Sequence, residues 1–150
     1  MSNRQQPSVT RHAAGRAVAE LMPKIIRGVQ LDFFLKRGIT QTQFLVLGAV
    51  LSYERCAMGT LARSLHVTMP TMSGIVERLV QAGFLRRVPP AEDRRQVVVE
   101  LTAKGRQFLQ QFQAVVQRRW EEVLRPLAPA DLAAFYRVIT KLTRQLNGTG

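Results

Sequence analysis

Residues 60–101 read TLARSLHVTMPTMSGIVERLVQAGFLRRVPPAEDRRQVVVEL, and the spacing of apolar residues in this stretch decides the fold. Leu61, Leu65, Met72, Ile75 and Leu79 recur at helical spacing and are expected to face a shared core. Ala62 is small where two steeply crossing helices come closest, and Val67 plugs the turn between them. His66 stands at the turn, where a positive φ is tolerated by glycine, asparagine and histidine better than by most residues. Thr68 suits the N-cap of the second helix, and Pro70 falls in its first turn, where a missing N–H costs little. Gly83 suits a left-handed C-cap, with Phe84 as its apolar neighbour. The pattern predicts two short helices joined by a tight turn. It leaves Thr71, Ser73, Gly74, Glu77 and Arg78 on the outer face of the second helix. Hydroxyls and a guanidinium there can contact bases and phosphates in a major groove, and the helix N-terminus favours a phosphate. The same residues also fit an ordinary amphipathic helix with a solvated face.

The residues that follow favour the first reading. Leu85 to Val88 and Gln96 to Leu101 read as strands rich in β-branched residues. Their connection, PPAEDRR, is stiffened by two prolines and carries Asp93, Arg94 and Arg95. A guanidinium at a hairpin tip can enter a narrow, A·T-rich minor groove, and a neighbouring carboxylate can fix its direction. The alternative is an exposed surface ion pair worth at most ~1 kcal/mol. A helix-turn-helix followed directly by an arginine-tipped hairpin is a device for reading duplex DNA.

The stretches ITQTQFLVLGAVL, LARSLHVTMPTMSGIVERLVQAGFLRRV and AEDRRQVVVELTAKGR together resemble the MarR family of bacterial transcription regulators. The similarity runs from about Ala14 to Leu146. The D-R-R followed by L-T-x-x-G-R is more specific than a helix-turn-helix pattern alone. The resemblance implies a homodimeric winged-helix protein that binds a pseudo-palindromic operator and releases it when a small ligand or oxidant arrives. It implies that Asp93 and Arg95 cooperate in the wing, and that Thr71, Ser73 and Arg78 occupy recognition-helix positions. Gly74 departs from the family, which often has a larger, commonly basic residue there; the contact such a residue would make is missing or replaced by close backbone approach. The family's usual effector pocket lies between dimerisation helices and winged domain. Phe33, Phe34, Phe44 and Trp120 are candidates for such a pocket and equally for plain core, so no ligand-binding residue is assigned.

Composition agrees with a polyanionic partner. Across 150 residues, 22 basic side chains oppose 10 acidic ones, for a formal net charge of +12. That imbalance favours nucleic acid over an anionic membrane surface. No apolar run approaches the ~18 residues needed to span a bilayer, and no secretory signal is visible, so a cytoplasmic location is expected. The single cysteine, Cys56, excludes an internal disulfide and is read as an ordinary small residue. His12 and His66 have no partner motif, Glu121 and Glu122 point apart on a helix, and no metal-ligand spacing or phosphate loop is present. Neither an enzyme nor a cofactor is expected.

The whole is expected to be mainly α with a small β-wing (α+β). Residues 1–13 form a flexible arm, 14–146 one MarR-like domain, and 147–150 a flexible tail. Within the domain, about 40–102 form the winged helix-turn-helix, and 14–37 and 103–146 the dimerisation helices. Pro23 should bend or interrupt the first helix, and Gly38 should end it. Thr40 and Gln43 form a capping box ahead of a stripe of Phe44, Leu47, Val50 and Leu51. Tyr53 to Gly59 reads as a linker, and Thr102 caps a helix from about Ala103 to Leu124. Pro126 and Pro129 frame a break before a last helix, Ala130 to Leu146. Leu21, Ile25, Leu132, Phe135, Ile139, Leu142 and Leu146 are the expected dimerisation residues. Thr68, Pro70, Thr71, Ser73, Gly74, Arg78, Arg86, Asp93, Arg94 and Arg95 are the expected DNA-binding residues, with Arg63, Arg87, Lys104 and Arg106 as further phosphate contacts. The expected function is a sequence-specific, dimeric repressor of double-stranded DNA, released by a small, anionic aromatic effector. A nonspecific architectural DNA coat and a winged-helix protein-interaction module are the alternatives.

Overall fold

The computed structural model describes residues 9–89 and 97–148, and for residues 30–32 and 35 the backbone alone. In chain order the elements are α1 (Arg11–Arg37), α2 (Gln41–Tyr53), β1 (Arg55–Ala57), α3 (Met58–Ser64), α4 (Met69–Gln81), β2 (Leu85–Val88), β3 (Val98–Leu101), α5 (Ala103–Leu124) and α6 (Pro129–Asn147). The chain divides into two units, Met1–Val116 and Gln117–Gly150.

Local chemistry sets the helix ends. Thr10 accepts from the Ala13 N–H at 3.1 Å, so α1 begins at Arg11 rather than near Ala14. It stops at Gly38, whose φ of 63° is the left-handed conformation that glycine adopts without strain. Pro23 lies inside α1 without dividing it, so of the expected bend or interruption the interruption does not occur. A proline in a helix interior costs about 3 kcal/mol through its missing N–H and its ring. Ile25, Val29 and Phe33 are buried at four-residue spacing beyond it, and the area that stripe removes from water offsets the cost. The stripe does not extend back to Val18, which is 58% exposed. The capping box at Thr40 and Gln43 is formed in both directions, at 3.2 and 2.9 Å. In α2 the fully buried residues are Val46, Leu47 and Val50; Phe44 is half-buried against the core, and Leu51, expected inside, is exposed.

The sheet is three-stranded and antiparallel, in the order β1-β3-β2. Its first strand occupies the segment expected as a plain linker. Arg55, Cys56 and Ala57 pair with Glu100, Val99 and Val98. Three residues are too few to show a period of two, and this strand exists only because β3 supplies its hydrogen-bonding partner. Leu85, Arg86, Arg87 and Val88 pair with Leu101, Glu100, Val99 and Val98 on the other side.

The core of the first unit joins α1 to α5 through the helix-turn-helix. Phe33, Leu47, Leu61, Met72, Val76, Leu79, Leu85, Val99 and Phe108 are its centre. Phe33 sits 4.9 Å from the Phe108 ring and 5.2 Å from the Phe112 ring, and Phe44 sits 4.3 Å from Phe112, all centroid to centroid. These tilted and edge-on pairs suit the ring quadrupoles. Phe33 is therefore core, and Phe34 and Phe44 pack against it.

The second unit contrasts with this. Trp120 and Phe135 rings lie 6.1 Å apart, but α6 has no buried residue. Leu132, Ile139, Leu142 and Leu146 are 43–77% exposed. Among the described residues, no helix is long and apolar enough to cross a membrane.

The start of α5 locks onto the end of α4. Thr102 donates its N–H to the Phe84 carbonyl at 3.0 Å and its hydroxyl to the Gly83 carbonyl at 2.6 Å, and accepts from the Gly105 N–H at 3.1 Å. A Cβ on Gly105 would run into the Phe84 carbonyl oxygen and come within 2.9 Å of Leu101 Cδ2. The oxygen is held by Thr102 and cannot withdraw. Gly105→Ala is therefore expected to lower the unfolding free energy by ~1–3 kcal/mol, measured by urea denaturation.

Candidate nucleic-acid interface

The reading head is built by α3, the turn and α4. His66 takes a φ of 53°, and the Val67 N–H returns to the Ala62 carbonyl at 3.0 Å. Thr68 caps α4 by accepting from the Thr71 N–H at 3.4 Å, and the two threonine hydroxyls lie 2.9 Å apart. Pro70 stands in the first turn of α4. The helix ends in a Schellman motif: Gly83, at φ 79°, donates to the Val80 carbonyl and Phe84 to the Leu79 carbonyl, each at 2.9 Å.

Burial of Met72, Val76 and Leu79 fixes the rotation of α4 about its axis. Thr68, Pro70, Thr71, Ser73, Gly74 and Arg78 are then exposed on the opposite side. Ile75 and Leu65, expected in the core, are half-buried at its margin, and Val76 takes the central place. Glu77 does not belong to the outward strip. It is half-buried and accepts from Arg87 on β2 at 2.6 Å and from Gln81 at 3.3 Å. It ties the helix to the wing.

Several expected phosphate contacts are already engaged. Arg86 is ion-paired with Glu100, whose other oxygen accepts from Arg55 at 3.1 Å. Lys104 donates to the Ala82 carbonyl at 2.6 Å and lies over the Phe84 ring, so it caps the C-terminal end of α4. Arg63 reaches Thr60 at 3.4 Å, and Arg106 is exposed. Asp93, Arg94 and Arg95 lie outside the described residues. Of the expected dimerisation residues, Ile25 is buried within the single chain, Leu21 and Phe135 are half-buried, and Leu132, Ile139, Leu142 and Leu146 are exposed.

A cleft of about 440 Å³ opens beside the reading head, lined by Met58, Thr60, Arg63, Met69, Ser73 and Arg87 among others. Cys56 is buried on the sheet, and burial pushes its thiol pKa up. A thiol held protonated is a poor nucleophile, which agrees with its reading as an ordinary small residue.

Within the first unit, α3, α4 and the three-stranded sheet form a winged helix-turn-helix. A family model described as "MarR family" matches residues 37–96. The transcriptional repressor YetL of Bacillus subtilis is 31% identical over 91 residues, 59% of this chain and 54% of its own length; the chain thus spans about half of that relative. The solved structure of transcriptional regulator Tm0710 from Thermotoga maritima superposes with a TM-score of 0.82 at 22% identity, covering 93% of this chain and 97% of that one. A mutant of Escherichia coli MarR complexed with operator DNA gives a TM-score of 0.57 at 26% identity, covering 85% and 91%. Over residues 37–96 the chain is similar to the MarR family of transcription regulators.

Two consequences can be measured. Nothing lies within 4 Å of a Cβ placed on Gly74, so no packing demands a glycine in the middle of α4. Gly74→Ala is expected to raise stability by about 1 kcal/mol in thermal or urea unfolding. Glu100 is held below the ordinary glutamate value of 4.5, first by its hydrogen bond from Arg86, then by Arg55 and the charges of both. A depressed folded-state pKa means that its stabilisation is complete above that ordinary value and fades as pH falls through the lower one. Glu100→Gln should therefore flatten the loss of stability below about pH 4.5, followed by urea unfolding across an acid pH series.

Proposed function

We propose that the chain is a homodimeric, sequence-specific DNA-binding repressor acting in the cytoplasm on a pseudo-palindromic operator. One observation carries the reading. The α4 helix is locked by burial of Met72, Val76 and Leu79, and displays Thr71, Ser73, Gly74 and Arg78 as an exposed strip next to its N-cap. Such a strip fits a major groove, with Thr68 and the helix N-terminus toward a phosphate. The net charge of +12 supports a polyanionic partner. The relative YetL is named a repressor, and the related MarR is complexed with operator DNA.

The exposed apolar side chains of α6 support dimerisation, because a contiguous apolar surface of that kind requires cover. A second copy would supply it and set two reading heads about one duplex turn apart, ~10 base pairs. Arg95, fixed by Asp93, would enter the flanking minor groove, with Arg94 beside it. A small anionic aromatic effector would release the DNA by binding one dimer shape better than the other. The cleft beside α4, with Arg63 and Arg87 among apolar side chains, is chemically suited to such a compound.

The high net charge also fits a nonspecific DNA coat, and the two readings part on selectivity. Selection from a random duplex pool should return a two-fold site bound at least ~10³-fold better than scrambled duplex. Arg95→Ala should weaken binding to that site by more than ~1 kcal/mol with the melting temperature unchanged. Equal retention of selected and scrambled duplex, or a monomer in sedimentation at assay concentrations, overturns the proposal.

A further inference from the structure

Arg55, Glu100 and Arg86 stand in one row across the three strands, each arginine directly paired with the glutamate by strand register. The Glu100 side chain is only 9% exposed, while both arginine side chains are 67% exposed. Arg55 donates its Nε to Oε2 at 3.1 Å, and Arg86 uses Nε and Nη2 on Oε1. The carboxylate lies beneath and the guanidiniums lie above it, facing solvent.

We propose that Glu100 is a positioning residue for DNA binding, holding Arg55 and Arg86 as a fixed pair of guanidiniums that clasps one phosphate of the duplex backbone. The inference rests on the DNA-binding reading above.

Three features carry it. First, the charges do not balance. One carboxylate would be satisfied by one bidentate arginine, and the second cation leaves a local excess of positive charge that an internal ion pair does not need. Second, each guanidinium spends only one edge on Glu100. Its planar fork keeps donors for a second oxygen acid, the geometry in which arginine binds phosphate best. Third, the only acidic group in this row is hidden from the solvent side. An acid bare on a surface that meets a polyanion would repel it; buried under two arginines, it orders them. Flexible arginine side chains lose rotamer freedom when they grip a phosphate, and pre-ordering removes that loss from the binding step. Arg87, one residue along β2, pairs with Glu77, a half-exposed carboxylate on α4.

The opposite role for Glu100 is an electrostatic brake, and the two roles predict opposite signs. Glu100→Gln removes a negative charge and keeps the shape. A brake predicts tighter binding to duplex. A positioning residue predicts weaker binding although the protein has become more basic. The probe is the duplex recovered by selection, followed by fluorescence anisotropy over a salt series, with thermal melts confirming that each variant is folded at the assay temperature. E100Q is expected to weaken binding about tenfold and to make the log–log salt slope shallower by ~1.8, the change expected when one phosphate per subunit of the dimer is no longer neutralised. The double variant R55Q/R86Q alters only exposed side chains and should give up the same phosphate, and E100Q added to it should change nothing further. If E100Q fails to fold, the double variant decides alone. Binding by E100Q as tight as or tighter than wild type, or a wild-type salt slope in R55Q/R86Q, overturns the inference while leaving the regulator intact. Wild-type protein that retains no duplex overturns the regulator reading and this inference with it.

Discussion

The contact on which the reading head depends is the approach of the first turn of α5 to the Phe84 carbonyl. Thr102 grips the Gly83 and Phe84 carbonyls, Lys104 takes the Ala82 carbonyl, and Gly105 has no side chain to hold the helix away. The last carbonyls of a helix lack partners of their own, and here α5 supplies one and a Schellman motif others. The end of α4 and the start of β2 therefore move as one piece with the start of α5. For the proposed role of α4 in a groove, rigid placement matters, because a lateral error of an ångström misaligns every donor it carries.

Electrostatics sets the direction of several cations. Arg55, Arg86, Arg87 and Lys104 are each held by an acceptor of the protein itself. Their exposure is high enough that these bonds contribute little to stability, and their effect is on direction. Thr71, Ser73 and Arg78, by contrast, extend exposed from a helix whose rotation is fixed by three buried side chains. Cations directed by the sheet and hydroxyls directed by a packed helix are the two kinds of contact a duplex asks for, one for the backbone and one for the bases.

The two units differ in how they use apolar surface. The first closes a core around stacked phenylalanines, and its largest side chains are wholly buried. In the second, α6 has an apolar stripe at three- and four-residue spacing, of which Leu132, Ile139, Leu142 and Leu146 are exposed. Most helical stability in proteins comes from packing of an amphipathic face, which is why the proposed dimer covers this stripe.

Local signals in the sequence determined much of this protein. Thr40 with Gln43, Thr68 with Pro70, His66, Gly83 and Thr102 each act within a few residues of themselves, and each cap or turn stands where its chemistry requires. The helix-turn-helix and both wing strands follow from them. Tertiary structure alone decided the rest. It carried α1 through Pro23, because burial of Ile25, Val29 and Phe33 outweighs a local cost. It made Arg55–Ala57 a strand, because the partner that pairs with it lies beyond α4. It turned Glu77 from a groove-facing residue into a tie for Arg87, and joined Glu100 to two arginines from separate strands. A residue's neighbours along the chain set its backbone, whereas its charge partners are chosen by strand register and helix rotation, which only the assembled core fixes.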